Sequence, residues 1–228
     1  MVFFGRGIRQ VSLLVGLAAI ASCSASVEPP LTSEQRAGYR IERVEVDIDP
    51  SARIWWTEAK FDIAEAAGID TESIDAVDAY NGSDAGRAAM FAKIQPRIKK
   101  PIEAVATTAL TGDRPAQLSV LMTNLILPDA GERIFIGGNF IMKGVVQVFD
   151  IESGAPLTKP QRLGAEAIGL DGLGGTLIEQ FDDEPIDQTA AAFGDKAREW
   201  LQSTEEIDIG LPPEEDRPAQ QLKGPSGV

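Results

Sequence analysis

The strongest constraint on the fold lies in residues 115–157, which hold the two most regular strand patterns of the chain. Residues 116–127 are apolar and rich in strand formers. Residues 139–151 alternate, with Phe140, Met142, Val146 and Val148 on one face and Ile141, Val145, Phe149 and Ile151 on the other. A period of two is what a pleated strand imposes on its side chains. A loop at 128–131 joins the pair, and Gly137-Gly138 marks a bulge or a close backbone approach ahead of the second strand. Glu152-Ser153-Gly154 makes a tight turn after it, and residues 162–168 read as a strand returning alongside. The pair is expected to form the middle of a sheet.

Helical period flanks this centre. Phe91, Ile94, Ile98, Ile102, Val105 and Ala109 recur every three or four residues, and Ser83 or Asp84 stands where a cap is needed. Pro96 and Pro101 interrupt that run, so a kinked helix or two segments ending near Gly112 are expected. Asp182-Asp183-Glu184-Pro185 opens a second helix, with Ile186, Ala190, Phe193, Ala197, Trp200 and Leu201 on one face. Nearer the N-terminus, Val44, Val46 and Ile48 alternate with Glu45, Asp47 and Asp49 in a half-buried strand that Pro50 is expected to end. Residues 51–81 are the least regular, with one short helix and a strand or loop over 73–80. The pattern predicts an α+β two-layer sandwich, a mainly antiparallel sheet of about four strands covered by two main helices. Residues 39–203, about 165 in number, are long enough for one core that buries about 70% of the unfolded surface.

The N-terminus sets the compartment. Arg6 and Arg9 precede an apolar run over residues 11–21, about half the length that a membrane-spanning helix requires. Residues 1–22 therefore read as an export signal. Ile20-Ala21-Ser22-Cys23 closes it with a branched apolar residue, two small residues and a cysteine that is the only one in the chain. A free thiol is a liability in an oxidising compartment, so the cysteine count agrees with a modified Cys23. Residues 23–38, with Pro29 and Pro30, read as a tether. Residues 204–228 turn acidic and proline-rich and are expected to be a disordered tail.

The net charge is −14, and removing Arg6 and Arg9 with the signal takes the chain from Cys23 onward to −16. With 35 acidic and 21 basic residues it offers no extended basic face, which excludes nucleic acid as a principal partner. Histidine is absent, which removes the commonest general base and the commonest zinc ligand. No cofactor or metal site is expected. The Asp47 and Asp49 pair lacks the further oxygen ligands and the central glycine of a calcium loop. The glycine-rich run 169–175 has neither the lysine of a phosphate-binding loop nor the βαβ setting of a dinucleotide site.

The residues ending at Cys23 resemble the lipobox of exported bacterial lipoproteins. The resemblance implies that the Cys23 thiol takes a diacylglycerol, that cleavage falls between Ser22 and Cys23, and that the freed amine is acylated. Ser24, in place of an aspartate, implies sorting to the outer membrane, facing the periplasm, rather than retention in the inner membrane. Gly112-Asp113-Arg114-Pro115, Gly137-Gly138, and Asp150 with Ser153-Gly154-Ala155-Pro156-Leu157 resemble a family of small proteobacterial lipoproteins of unknown function. More loosely, the layout is similar to the periplasmic two-layer domains of curli-secretion lipoproteins and of the N-terminal module of the Tol translocation protein. The resemblance implies a location and a fold, and no catalytic residue.

Three functions compete. The first is a non-enzymatic binding or assembly role in the envelope, with the membrane held through the lipid and another envelope protein as partner. The second is a carboxylate hydrolase around Asp47, Asp49 and Asp171, although such chemistry needs two acids at a defined separation. The third is a carrier of a small apolar ligand. For the first, Trp55, Trp56, Lys93, Arg97, Lys99 and Lys100 are candidate docking residues. Adjacent tryptophans cannot both point inward from a regular element, and the four cations stand out against an acidic chain.

Overall fold

The computed structural model describes residues 26–129, 139–167 and 184–209, together with Leu211, Leu222 and Gly224. The residues read as an export signal, with Ser22 and Cys23, Gly137-Gly138 and the glycine-rich run with Asp171 lie outside the described residues. In chain order the elements are β1 (Ser26–Val27), α1 (Ser33–Gly38), β2 (Tyr39–Trp56), α2 (Thr57–Ala66), α3 (Ile74–Gly82) and α4 (Asp84–Ala106). There follow β3 (Arg114–Leu127), β4 (Phe140–Asp150), β5 (Gln161–Ala167), α5 (Pro185–Gln202) and β6 (Ile207–Asp208).

The main sheet has the order β2-β3-β4-β5. β3, β4 and β5 form an antiparallel meander, and β2 joins β3 in parallel. A parallel neighbour demands a crossover, which α2, α3 and α4 supply. The alternation in β4 sorts as its sequence predicts: Phe140, Met142, Val146 and Val148 enter the core with Leu118, Val120, Met122, Leu125, Leu163 and Ala165. The helical layer covers this face, α4 lying against β2 and α5 against β4 and β5. Ile94, Ile98 and Ile102 of α4 and Phe193, Trp200 and Leu201 of α5 fill the space between the layers. The result is the two-layer α+β sandwich expected, its sheet mainly antiparallel and its two longest helices those read from the sequence.

Several details differ. β2 does not end at Pro50 but runs on to Trp56, with a break in register between the Ile48–Met122 and Arg53–Asn124 pairs. Proline lacks the N–H that a central strand must donate, and β2 is an edge strand, where that loss is tolerated. Buried Asp49 organises the bulge by accepting from the Ser51 N–H and Ser51 Oγ, both at 2.7 Å. Residues 73–80, expected as strand or loop, belong instead to α3, because Ser73 caps that helix by accepting from the Ala76 N–H. Asn81-Gly82 ends α3, and Ser83 caps both neighbours, accepting from the Gly86 N–H to start α4.

α4 is one helix of 23 residues with both prolines inside it, where two segments were an option. Its apolar face compensates for the lost bonds, and the Gln95 Nε2 donates to the Val46 carbonyl at 2.6 Å, tying the helix to β2. It stops at Ala106, short of Gly112, where the hydroxyls of Thr107 and Thr108 turn back to the carbonyls of Glu103 and Val105, each at 2.7 Å.

The ordered fold also reaches beyond 39–203 on both sides. β1 pairs antiparallel with β6, and Leu31, Ile209 and Leu211 are buried. Thr32 and Gln35 form a capping box at the start of α1, and Arg36 donates to the carbonyls of Leu31 and Ser203 at 2.6 and 2.9 Å. Residues 26–38 are thus held to the domain rather than forming a free tether. The first residues past 203 are likewise part of the fold rather than of a tail.

Candidate functional site

The tryptophans and cations singled out in the sequence do not form one surface. Trp55 and Trp56 follow each other in β2, so they face opposite sides of the sheet. Trp56 is buried beneath the helices, with the Lys93 ammonium 5.8 Å from its ring centre. Trp55 points to the helix-free face, level with Ile126 of β3 and Ile141 of β4. Three of the four cations are engaged within the domain. Lys93 pairs with Asp62 at 2.6 Å, Lys99 lies 3.6 Å from Glu45, and Arg97 bridges Glu184 and Asp187, joining α4 to the start of α5. Lys100 is exposed. Trp56 is lost to the core, and Lys99 reaches round the β2 edge to Glu45, which alternates with the core residues Val44 and Val46, so the expected pair of indoles does not stand beside the cations as one docking face.

The carboxylates proposed for hydrolysis are also apart. Asp47 is exposed on the helix-free side, Asp49 is committed to the bulge, and Asp171 lies outside the described residues. Among the described residues no three His, Cys, Asp or Glu side chains lie close enough together to hold a metal ion.

A polar cluster that the sequence only hinted at joins Tyr39, Arg114 and Asp150. These begin β2, begin β3 and end β4, and the registers, Tyr39 opposite Arg114 and Asp150 opposite Ala116, bring them to one end of the sheet. Asp150 is 3% exposed, and its Oδ2 accepts from the Tyr39 hydroxyl at 2.9 Å and from Arg114 Nη2 at 2.6 Å. Its Oδ1 accepts from the Ser153 N–H at 2.9 Å. The Arg114 guanidinium lies over the Tyr39 ring, 4.4 Å from its centre. The Ser153 N–H, helped by Tyr39 and Arg114 and opposed by burial, holds the Asp150 carboxyl down to about 2. Burial, and then Asp150, pushes the Tyr39 phenol up. Gly154 completes the turn at φ +69°, a conformation that favours glycine, and its N–H donates to the Asp150 carbonyl. Gly112 packs so tightly that a Cβ there would stand 2.3 Å from the Gly38 carbonyl carbon.

Two motifs that are 35 residues or more apart in the chain, Gly112-Asp113-Arg114-Pro115 and Asp150 with Ser153-Gly154, therefore build one corner. Its chemistry is structural. A carboxylate ionised throughout the neutral range, with both oxygens accepting, neither takes nor gives a proton there. The cluster was not expected from the sequence, because a tyrosine opening a strand carries no signal of a partner 111 residues away.

The helix-free face carries a second polar group. Gln117 and Ser119 of β3, Gln147 of β4 and Thr158 are all buried. Gln117 Nε2 donates to Ser119 Oγ at 2.8 Å, and Gln147 Nε2 donates to the Thr158 carbonyl at 2.9 Å. The alternation that sorts β4 places Gln147 with Val145 and Phe149; the group was not singled out from the sequence, where its signal is polar residues interrupting two apolar strands.

Compared with protein-family models, with curated proteins and with solved structures, the chain matches none. Its function is argued from its own residues.

Proposed function

We propose that the protein is a lipid-anchored lipoprotein of the bacterial envelope with a non-enzymatic binding or assembly role, facing the periplasm from the outer membrane. The observation that carries this is Ile20-Ala21-Ser22-Cys23 behind a short basic and apolar segment. No helix among the described residues is long and apolar enough to cross a membrane. An acylated Cys23 supplies attachment without one. The dispersal of Asp47 and Asp49 and the saturation of Asp150 weigh toward binding over hydrolysis.

The fold adds a distance. Only Ser24 and Ala25 separate Cys23 from β1, and three extended steps span about 10 Å. A lipidated Cys23 would hold the β1–β6 corner against the headgroups. Replacing Cys23 by Ala should move the protein from the membrane fraction to the soluble periplasm. If the Cys23→Ala protein still sediments with membranes after a high-salt wash, the anchor is something else.

A further inference from the structure

The helix-free face carries an apolar row at the end of the sheet where β2 and β3 finish and β4 begins. Trp55, Ile126 and Ile141 stand in register across these three strands, and each is part-exposed. The next row holds Arg53, Asn124 and Lys143. Arg53 and Trp55 alternate with Ile54 and Trp56, Ile126 with Leu125 and Leu127, and Ile141 and Lys143 with Met142, all of which pack into or against the core. The indole, the two isoleucines and the two cations therefore share one side. Arg53 and Lys143 are in no ion pair among the described residues, whereas Arg40, Lys60, Lys93 and Lys99 are each paired.

Charge is uneven about the sheet. The third row is Asp47, Leu121, Val145 and Arg162, and over the three rows Arg53, Lys143 and Arg162 outnumber Asp47 and Glu166. Glu166 also accepts from Asn139 at 3.2 Å. In the helical layer α2 and α3 carry five acids to the single base Lys60. The start of the domain lies beside the same rows. Lys143 is in register with Gly164 of β5, whose N–H donates to the Ile209 carbonyl at 3.3 Å. Ile209 directly follows β6, and β6 pairs with β1, so the chain leads off toward Cys23 from beside the row of Arg53 and Lys143. Ser24 and Ala25 alone separate β1 from Cys23. A tryptophan with aliphatic neighbours and flanking cations is what a bilayer interface selects, the ring at headgroup level and the cations on phosphates.

We propose that this end of the helix-free face rests on the bilayer, with Trp55, Ile126 and Ile141 at the boundary between headgroups and acyl chains and Arg53 and Lys143 on the phosphates of anionic lipids. The acidic helical layer then faces the periplasm, open to another protein. The proposal rests on the lipid anchor proposed above for its nearness to the bilayer. Tethering raises the local concentration of the surface, so a patch too small to hold an untethered chain suffices to orient a tethered one.

The test supplies the lipid chemically, so that a chain that cells fail to acylate and a face that fails to dock are told apart. The chain from residue 23 onward is coupled through Cys23, its only thiol, to a maleimide lipid in phosphatidylcholine vesicles. About a quarter of their lipid is anionic phosphatidylglycerol, enough for a negative surface potential. Trp56 and Trp200 are buried, so the difference between the native chain and Trp55→Phe isolates the Trp55 fluorescence. That fluorescence should fall by about half or more when the upper acyl chains are brominated, as seating an apolar face about 5–10 Å deep implies. Arg53→Gln with Lys143→Gln should lower the docked-to-undocked ratio about fivefold for each charge removed. A coupled chain whose Trp55 is not quenched overturns the proposal, and so does quenching that the double variant leaves unchanged. If the double variant does not fold, raising the salt on the native chain decides, because charges on a surface are screened: quenching should fall, and quenching that salt leaves unchanged overturns the proposal.

Discussion

Asp150 gathers hydrogen bonds from Tyr39, Arg114 and Ser153 at 3% exposure, so its loss should be felt far beyond one side chain. Asp150→Asn puts an amide donor where Tyr39, Arg114 and Ser153 all donate and should lower stability by about 1–3 kcal/mol in urea denaturation. Arg114→Gln should cost less, because its guanidinium is half in water and the carboxylate keeps two other donors. The sign of the pH dependence follows from the depressed Asp150 pKa of about 2 against an ordinary 3.8. Its contribution is present above pH 3.8 and fades as pH falls toward 2, so the urea midpoint of the native chain should fall over that window. In Asp150→Asn that part of the fall should be missing. Phe149 lies at the same corner and is 5% exposed, and Phe149→Ala should cost about 3–5 kcal/mol. A loss below 1 kcal/mol would show that its burial contributes little.

At the scale of elements, the close contact of α4 with α5 depends on Gly194. A Cβ there would stand 3.1 Å from the Ile102 Cα and 3.2 Å from the Val105 Cβ, where backbone cannot yield. Gly194→Ala gains helix propensity of up to about 1 kcal/mol, and Gly194→Val adds bulk that the crossing has no room for. The valine variant should lose about 1–3 kcal/mol in thermal or urea melts, with the alanine variant between it and wild type. Arg97 fastens the same two helices from the outside, through Glu184 and Asp187. The uninterrupted α4 has a related cause. Its isoleucines at 94, 98 and 102 are fully buried, and that packing holds residues 96 and 101 helical although each proline forgoes a backbone bond.

Across the whole molecule, the two ends of the domain meet. β1 pairs with β6, Arg36 reaches Ser203, and the Gly164 N–H donates to the Ile209 carbonyl at 3.3 Å along the outer edge of β5. Leu31, Ile209 and Leu211 join the core, each worth about 1.5–3 kcal/mol when buried. A chain cut to residues 39–203 should therefore have a urea midpoint well below that of one spanning 26–211. Equal midpoints would show that these terminal pieces rest on the core without stabilising it. The same closure places the start of the domain and the exit of its C-terminal segment at one corner, the corner that a lipid on Cys23 would bring to the membrane.

The sequence by itself determined the layers. Local period is enough to say that β4 alternates, that α4 and α5 each carry one apolar stripe, and hence that a sheet is covered on one face by helices, because side-chain direction repeats every two or 3.6 residues whatever the partner. The resemblance of residues 20–23 to a lipobox is read in the same way, from a contiguous string. Only the tertiary structure decided what depends on pairing across the chain. It placed Tyr39 against Asp150, continued β2 past a proline because that strand is an edge, and recruited residues 26–31 and 207–209 with Leu211, which lack any period of their own. It also buried Trp56 beneath the helices and turned Trp55 to the other face of the sheet. Adjacency in space between residues about 100 apart is set by register and by which layer covers which face, and no local pattern carries that information.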